Sequence, residues 1–300
     1  MSKLRIWLSA MRLRTLPLSL AGIILGSGMA AAEGKFDLTI CVLALLTAAS
    51  YQILSNLAND YGDGIKGTDA KRTGPARAVA SGWISLKEMK TALIINGIIS
   101  FLLTVALLKT AFPDSGPDFY VYLLLGMAAI WAAVKYTVGK KAYGYAGLGD
   151  LFVLIFFGWV SVAGVYYLYT RHLDKEVFAA ATAIGLLAVA VLNINNMRDL
   201  DADRKAGKIT FAVKLGRTNA LKYHRALIHL SFLFLLYFTA ARFYTPWQLA
   251  ALVWYIPLTL HLRKLKSGEP AAFNKALKEV SSFTFFLSTT YAFILWTAAN

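Results

Sequence analysis

The stretch LTICVLALLTAASYQILSNLANDYGDG, residues 38–64, decides the fold: a long, mostly apolar run passes without a break into a cluster of amides and carboxylates at Asn56, Asn59, Asp60 and Asp63. About twenty helical residues, each rising about 1.5 Å, cross the roughly 30 Å hydrocarbon core of a bilayer. Residues 38–57 are therefore expected to span a membrane and deliver their polar end to one face of it. The same ruler applied to the whole 300-residue chain gives about nine spans, at residues 16–32, 38–57, 91–108, 119–133, 151–169, 177–193, 226–241, 247–262 and 283–298. Together they predict an all-α integral membrane protein forming a single domain over residues 1–300.

Composition agrees. The chain is 58% hydrophobic and 16% charged, with a mean hydropathy of +0.56, whereas soluble chains are about 45–50% apolar and 25% charged. This excludes a water-soluble dinucleotide-binding or α/β-barrel enzyme. Long continuous apolar runs also exclude an outer-membrane barrel, whose strands alternate over about ten residues. The single cysteine, Cys41, excludes a disulfide scaffold and any multi-cysteine metal centre. The first apolar run, ending Met29-Ala30-Ala31-Ala32, is too long for a cleaved signal segment and further spans follow, so it is expected to be retained.

Lys and Arg flanking membrane spans are kept on the cytoplasmic side. Alternating the nine spans puts 26 of the 31 basic residues and 10 of the 16 acids on one face, a balance of +16 against −1 on the other. The N-terminus is accordingly expected in the cytoplasm and the C-terminus outside. The overall charge of +15 is thus a membrane signal. Basic residues dispersed over helix-flanking loops give no reason to expect nucleic acid as a partner.

Carboxylates are costly near a bilayer, so their clustering is informative. The second span runs into Asn56, Asn59, Asp60 and Asp63, and the sixth into Asn195, Asn196, Asp199, Asp201 and Asp203. Both clusters fall at the same end of spans of the same polarity. Residues three, four or seven apart share a helix face, so Asn56, Asp60 and Asp63 form one oxygen stripe and Asn195, Asp199 and Asp203 another, with Asn59 and Asn196 adjacent and Asp201 pointing elsewhere. Packed carboxylates repel unless cations neutralise them. An all-oxygen set without Cys or His favours Mg²⁺, which binds through a few carboxylates and substrate phosphates. Lysines and arginines in the same loops would suit a diphosphate.

With these residues in view, the sequence resembles the UbiA superfamily of intramembrane prenyltransferases, most closely the branch acting on 1,4-dihydroxy-2-naphthoate in menaquinone biosynthesis. The carriers are Arg12-Leu-Arg14-Thr15-Leu-Pro17, the Asn56 to Asp63 block, Gly74-Pro-Ala-Arg77, Tyr136-Thr-Val-Gly-Lys-Lys141 and Gly144-Tyr-Ala-Gly147-Leu-Gly149-Asp150. The Asn195 to Asp203 block followed by Gly207-Lys208-Ile-Thr210 completes them. One departure is that Gly67 stands four residues after Asp63, where many relatives carry a further aspartate, and the next acid is Asp69. The resemblance implies a nine-helix bundle whose aspartate blocks face each other over a central cavity. It further implies Mg²⁺-dependent transfer of a polyprenyl group from polyprenyl diphosphate to the naphthoate, with loss of CO₂ and diphosphate to give demethylmenaquinol, at a site facing the cytoplasm of the inner membrane. Membrane lipid then surrounds the catalytic domain.

Under that expectation Asn56, Asn59, Asp60, Asp63, Asn195, Asp199 and Asp203 hold the metal, and the four aspartates act catalytically with Tyr136, whose ring face can stabilise an allylic cation. Arg77, Lys141, Arg198 and Lys208 are candidates for binding diphosphate or the aromatic carboxylate. Arg12 enters the first span toward an anionic head group. Asp150 orients Lys141 or takes a naphthoate proton. The alternatives are a relative acting on 4-hydroxybenzoate, a CDP-alcohol phosphatidyltransferase and an ion-coupled transporter. The second fails because Gly67-Thr68 stands where its motif needs Ala-Arg. The third lacks paired Gly/Pro-broken mid-span segments.

Overall fold

The computed structural model describes residues 2–67, 76–265 and 270–299. Asp69, Lys71, Arg72, Gly74 and Pro75 lie outside the described residues. Within them the chain is helical and without strands, as a bilayer demands, since every backbone N–H and C=O there must be satisfied within its own helix. The helices are α1 (Lys3–Met11), α2 (Leu16–Ala32), α3 (Leu38–Lys66), α4 (Leu86–Ala111), α5 (Pro117–Lys135), α6 (Gly149–Thr170), α7 (Lys175–Arg198), α8 (Leu200–Lys205), α9 (Phe211–Ala241), α10 (Trp247–Ala251), α11 (Tyr255–Lys264) and α12 (Pro270–Ala299).

Among the described residues eight stretches are long and apolar enough to cross a bilayer; seven are α3, α4, α5, α6, α7, α9 and most of α12, and the eighth is α1 running into α2. The ninth expected span, residues 247–262, is instead α10 and α11 joined by a 3₁₀ turn at Leu252–Trp254. It still returns the chain from end to end of the bundle. Gln248 donates to the Arg242 carbonyl at the far end of α9, while Asn274 on α12 meets Arg198 beside the aspartate blocks.

The longest-buried helix is α7, packed among α6, α9 and α12. Its small residues Ala179, Ala180, Ala181, Ala183, Ala188 and Ala190 are buried, because lipid drives no hydrophobic association and helices gain stability by close packing and cross-helix hydrogen bonds. Such bonds include Ser50 to Ser100 (2.7 Å), Ser231 to Tyr255 (2.7 Å) and Thr239 to Tyr291 (2.8 Å). α2 and α12 approach closely at Gly28, where an added Cβ would stand 2.4 Å from the Ala292 Cβ and 2.5 Å from its Cα. Gly28→Ala must push the two backbones apart and is expected to cost about 1–3 kcal/mol, read as a lowered unfolding temperature in detergent. Gly97→Ala on α4, where a Cβ meets nothing within 4 Å, is the control and should not destabilise.

Helix ends follow local chemistry. α3 continues beyond its apolar part to Lys66 and stops at Gly67, whose φ of 69° closes it with an N–H bond to the Asp63 carbonyl. α4 opens on a capping box formed by Ser85 and Glu88. α6 is wound from Leu154 to Gly164 as a π-helix, a form concentrated at functional sites.

Candidate active site

One cavity of about 320 Å³ runs between α2, α3, α4, α5 and α6 and reaches the ends of α3 and α7. Its polar end collects Asn59, Asp63, Asn195, Asp199 and Asp203 with the bases Arg12, Arg77 and Lys208. Its long remainder is apolar, walled by residues such as Ile23, Leu107, Leu125, Phe156 and Leu168. The two blocks, 136 residues apart when counted from Asp63 to Asp199, thus open into one space.

In the second block α7 ends at Arg198, Asp199 caps it by donating its N–H to the Asn195 carbonyl (3.1 Å), and α8 carries the turn onward to Asp203. The expected stripe of Asn195, Asp199 and Asp203 forms and faces the cavity. Arg198 does not. Its guanidinium is spent on Asp199 through two bonds (2.8 and 2.7 Å), on Asn195 Oδ1 (2.7 Å) and on Asn274 Oδ1 (3.0 Å). It holds the block rather than lining the cavity. Lys208 stands 3.8 Å from Asp203, and Asp201 turns outward to Arg217, as expected of it.

The first block departs from the expected stripe. Asn59 and Asp60 are neighbours and so point about 100° apart on the helix; the cavity side is taken by Asn56, Asn59 and Asp63. Asp60 is buried beside the cavity wall, its two oxygens accepting the backbone N–H groups of Ala78 (3.0 Å) and Val79 (3.1 Å). It anchors the loop that carries Arg77 into the cavity. Asn56 lines the cavity, but its side-chain NH₂ is bound to the α1–α2 connection.

The segment 136–148 braces this end. Thr137 donates to the Ala58 carbonyl (2.9 Å), and Lys66 to the Thr137 carbonyl (2.8 Å). Tyr145 was not singled out by sequence, yet its hydroxyl donates to Asp63 Oδ1 (2.8 Å) and its ring lies under the Lys66 ammonium (3.7 Å) and within 5.5 Å of that of Lys208. Its carbonyl also accepts the Ile209 N–H, so it ties the first block to the segment that follows the second. A Tyr within a glycine-rich loop beside two lysines was the available signal.

Tyr136 lines the cavity beside Tyr143, Phe152 and Phe156, an aromatic wall in which Tyr136 meets Tyr143 edge-on at 5.4 Å and Tyr143 stacks on Phe152 at 4.0 Å. Desolvation first, then the nearby Tyr143, Asp150, Asp203 and Asp63, pushes the Tyr136 phenol well above its ordinary pKa. Its proton is therefore kept for donation. Lys141 is exposed and not part of the cavity wall. Asp150 is not part of the cavity wall and accepts from Tyr223 (3.0 Å); among the described residues it makes no hydrogen bond to Lys141, the partner expected of it.

The donors fit a hard divalent ion. All are oxygens, and Asn59 Oδ1 is buried without a hydrogen-bond partner, an acceptor that a cation would satisfy. Among the described residues no three acidic, imidazole or thiolate groups converge into a complete cage. Mg²⁺ does not need one, because it retains water and shares substrate phosphates.

The UbiA prenyltransferase family profile matches residues 19–290. The chain is 47% identical to the 1,4-dihydroxy-2-naphthoate octaprenyltransferase of Escherichia coli (strain K12) over 82% of its own length and 80% of that protein. It is 46% identical to the enzyme of that name from Haemophilus influenzae, over 80% and 78%. It superposes on a UbiA homologue from Aeropyrum pernix K1 with a TM-score of 0.67 at 19% identity, covering 96% and 97% of the two chains. A homologue from Archaeoglobus fulgidus, solved with GPP and Mg²⁺, superposes at 0.66 and 16% identity over 99% and 100%. With a helical bundle, two aspartate blocks on one cavity and a profile match over most of its length, the chain belongs to the UbiA prenyltransferase family.

Proposed function

We propose that the protein transfers a polyprenyl group from polyprenyl diphosphate to 1,4-dihydroxy-2-naphthoate, releasing CO₂ and diphosphate and forming demethylmenaquinol. The observation carrying this is that one cavity joins a charged end to a long apolar remainder. A diphosphate and an isoprenoid chain have that same division. The 47% identity to a protein named for this reaction supports the choice of acceptor over 4-hydroxybenzoate.

Asn59, Asp63, Asn195, Asp199 and Asp203 would hold Mg²⁺, which neutralises negative charge on the leaving diphosphate. Arg12, Arg77 and Lys208 bind the remaining diphosphate oxygens, preorganised in a site from which water is excluded. Tyr136, kept protonated, donates to a phosphate oxygen or turns its ring face to the allylic carbon. The C–O bond of the donor breaks with its electron pair leaving on diphosphate. The prenyl carbon bonds the ring carbon that bears the carboxylate, and the C–C bond to CO₂ breaks with its pair restoring the aromatic ring. The apolar cavity keeps the prenyl chain from water in the meantime. The site face carries the +16 balance, which under the positive-inside rule faces the cytoplasm of a bacterial inner membrane.

Membranes containing the protein, given both acceptors and one polyprenyl diphosphate, should yield the decarboxylated prenyl-naphthoquinol by mass spectrometry. EDTA should abolish the product and added Mg²⁺ restore it. Exclusive conversion of hydroxybenzoate would reject the acceptor, and turnover indifferent to EDTA would reject the metal.

A further inference from the structure

Helices α1 and α2 are joined at Arg12, one of three non-glycine residues with positive φ among those described (φ 50°, ψ 52°). The left-handed turn is disfavoured for a residue carrying a Cβ and persists only where the surroundings enforce it. Here Arg12 closes α1 through its N–H to the Ser9 carbonyl (3.2 Å), while its own carbonyl receives both the N–H (2.8 Å) and the hydroxyl (2.9 Å) of Thr15. The turn faces the cavity, and the Arg12 side chain forms part of its wall.

Across the gap stands Asn56. Its Nδ2 donates to the Met11 carbonyl (2.9 Å) and to Thr15 Oγ1 (3.0 Å), the residues on either side of the turn. A carbonyl can only accept, so the atom facing Met11 must be the amide nitrogen, and both of its protons are used. Asn56 is 3% exposed, and its remaining oxygen is met by Gln52 Nε2 at 3.3 Å.

We infer that Asn56 is a positioning residue that acts through Arg12: with Thr15 it clamps the left-handed α1–α2 turn so that the Arg12 guanidinium is presented to the diphosphate. This differs from the oxygen-ligand role that its place in the aspartate block gives it, and it rests on the reading that the cavity binds a prenyl diphosphate. What position 56 must supply is an N–H donor. Aspartate has the same shape and more metal-binding oxygen but no donor, and it would set an anion against the Met11 carbonyl.

The test is calorimetric binding of geranyl S-thiolodiphosphate, which does not react, to the purified full-length protein over a Mg²⁺ series, without any acceptor. Asn56→Asp and Thr15→Val should each weaken binding about tenfold, the order of one charge-assisted contact. Arg12→Gly, which keeps the turn and removes the guanidinium, should weaken it at least as much. The double variant Asn56→Asp/Arg12→Gly should bind no worse than Arg12→Gly alone, and the Mg²⁺ concentration for half-maximal binding should stay at the wild-type value in all of them. The inference is overturned if Asn56→Asp shifts the Mg²⁺ dependence while Thr15→Val binds like wild type, or if the Asn56 and Arg12 losses multiply. Should Asn56→Asp fail to fold, Thr15→Val, lacking any metal-ligand role, carries the same expectation alone. Wild-type protein that ignores the analogue would instead reject the diphosphate reading itself.

Discussion

Asp203→Ala is expected to lower kcat for prenyl transfer by roughly 10³-fold in protein that still folds and inserts, because removing one preorganised electrostatic contact at a developing charge costs about 10²–10³. Asp203 is the outermost acid of the second stripe, lines the cavity, and has Lys208 3.8 Å away. Its loss leaves the leaving group's counterion site one carboxylate short and frees Lys208 to move. Asp203→Asn, which keeps size and one oxygen but no charge, should fall between. Asp63→Ala should match Asp203→Ala, since it removes the first block's cavity-facing carboxylate and the acceptor that Tyr145 holds. Single-turnover assays at saturating Mg²⁺ decide it: near-normal turnover by Asp203→Ala beside inactive Asp63→Ala would mean that one block alone handles the diphosphate.

The apolar runs made most of the bundle legible, because a helix in lipid is recorded in composition alone. Their ends were less so. Residues 38–57 read as a span, but α3 continues nine residues further to Lys66, since polar residues facing a cavity need not end a helix. α4 begins at Leu86, five residues ahead of its expected apolar start at 91, because the Ser85–Glu88 capping box starts it there. Residues 247–262 look apolar enough to be one helix, yet fold as two short ones. In the site, periodicity located both aspartate blocks and the cavity faces of Asp63, Asp199 and Asp203. It misassigned the orientation of Asp60 because the N–H groups of Ala78 and Val79 that claim it come from a loop eighteen residues away. Such a partner is tertiary information. Arg198 differs in kind: a basic residue preceding an acid says nothing of which of them the other will hold.

That difference makes Arg198→Ala the second large effect. Arg198 and Asp199 are a buried pair with side chains 3% and 10% exposed, and Arg198 also satisfies Asn195 and Asn274. Truncating it strands an ionised carboxylate in a poorly solvated place, which costs about 3–5 kcal/mol, and frees Asn195 and Asp199 from the geometry in which both face the cavity. The expected result is a lowered unfolding temperature together with at least about a 100-fold loss of kcat, as misplacement of supporting groups commonly produces. Arg198→Lys keeps the charge but not the two-pronged fork and should recover stability better than turnover. Arg198→Ala/Asp199→Ala separates the two roles. Removing both partners takes away the stranded charge, so stability should return toward wild type while activity stays lost. If Arg198 bound diphosphate directly, its alanine variant would instead raise the donor KM with the unfolding temperature unchanged, and the Asp199 pairing would have no bearing on stability.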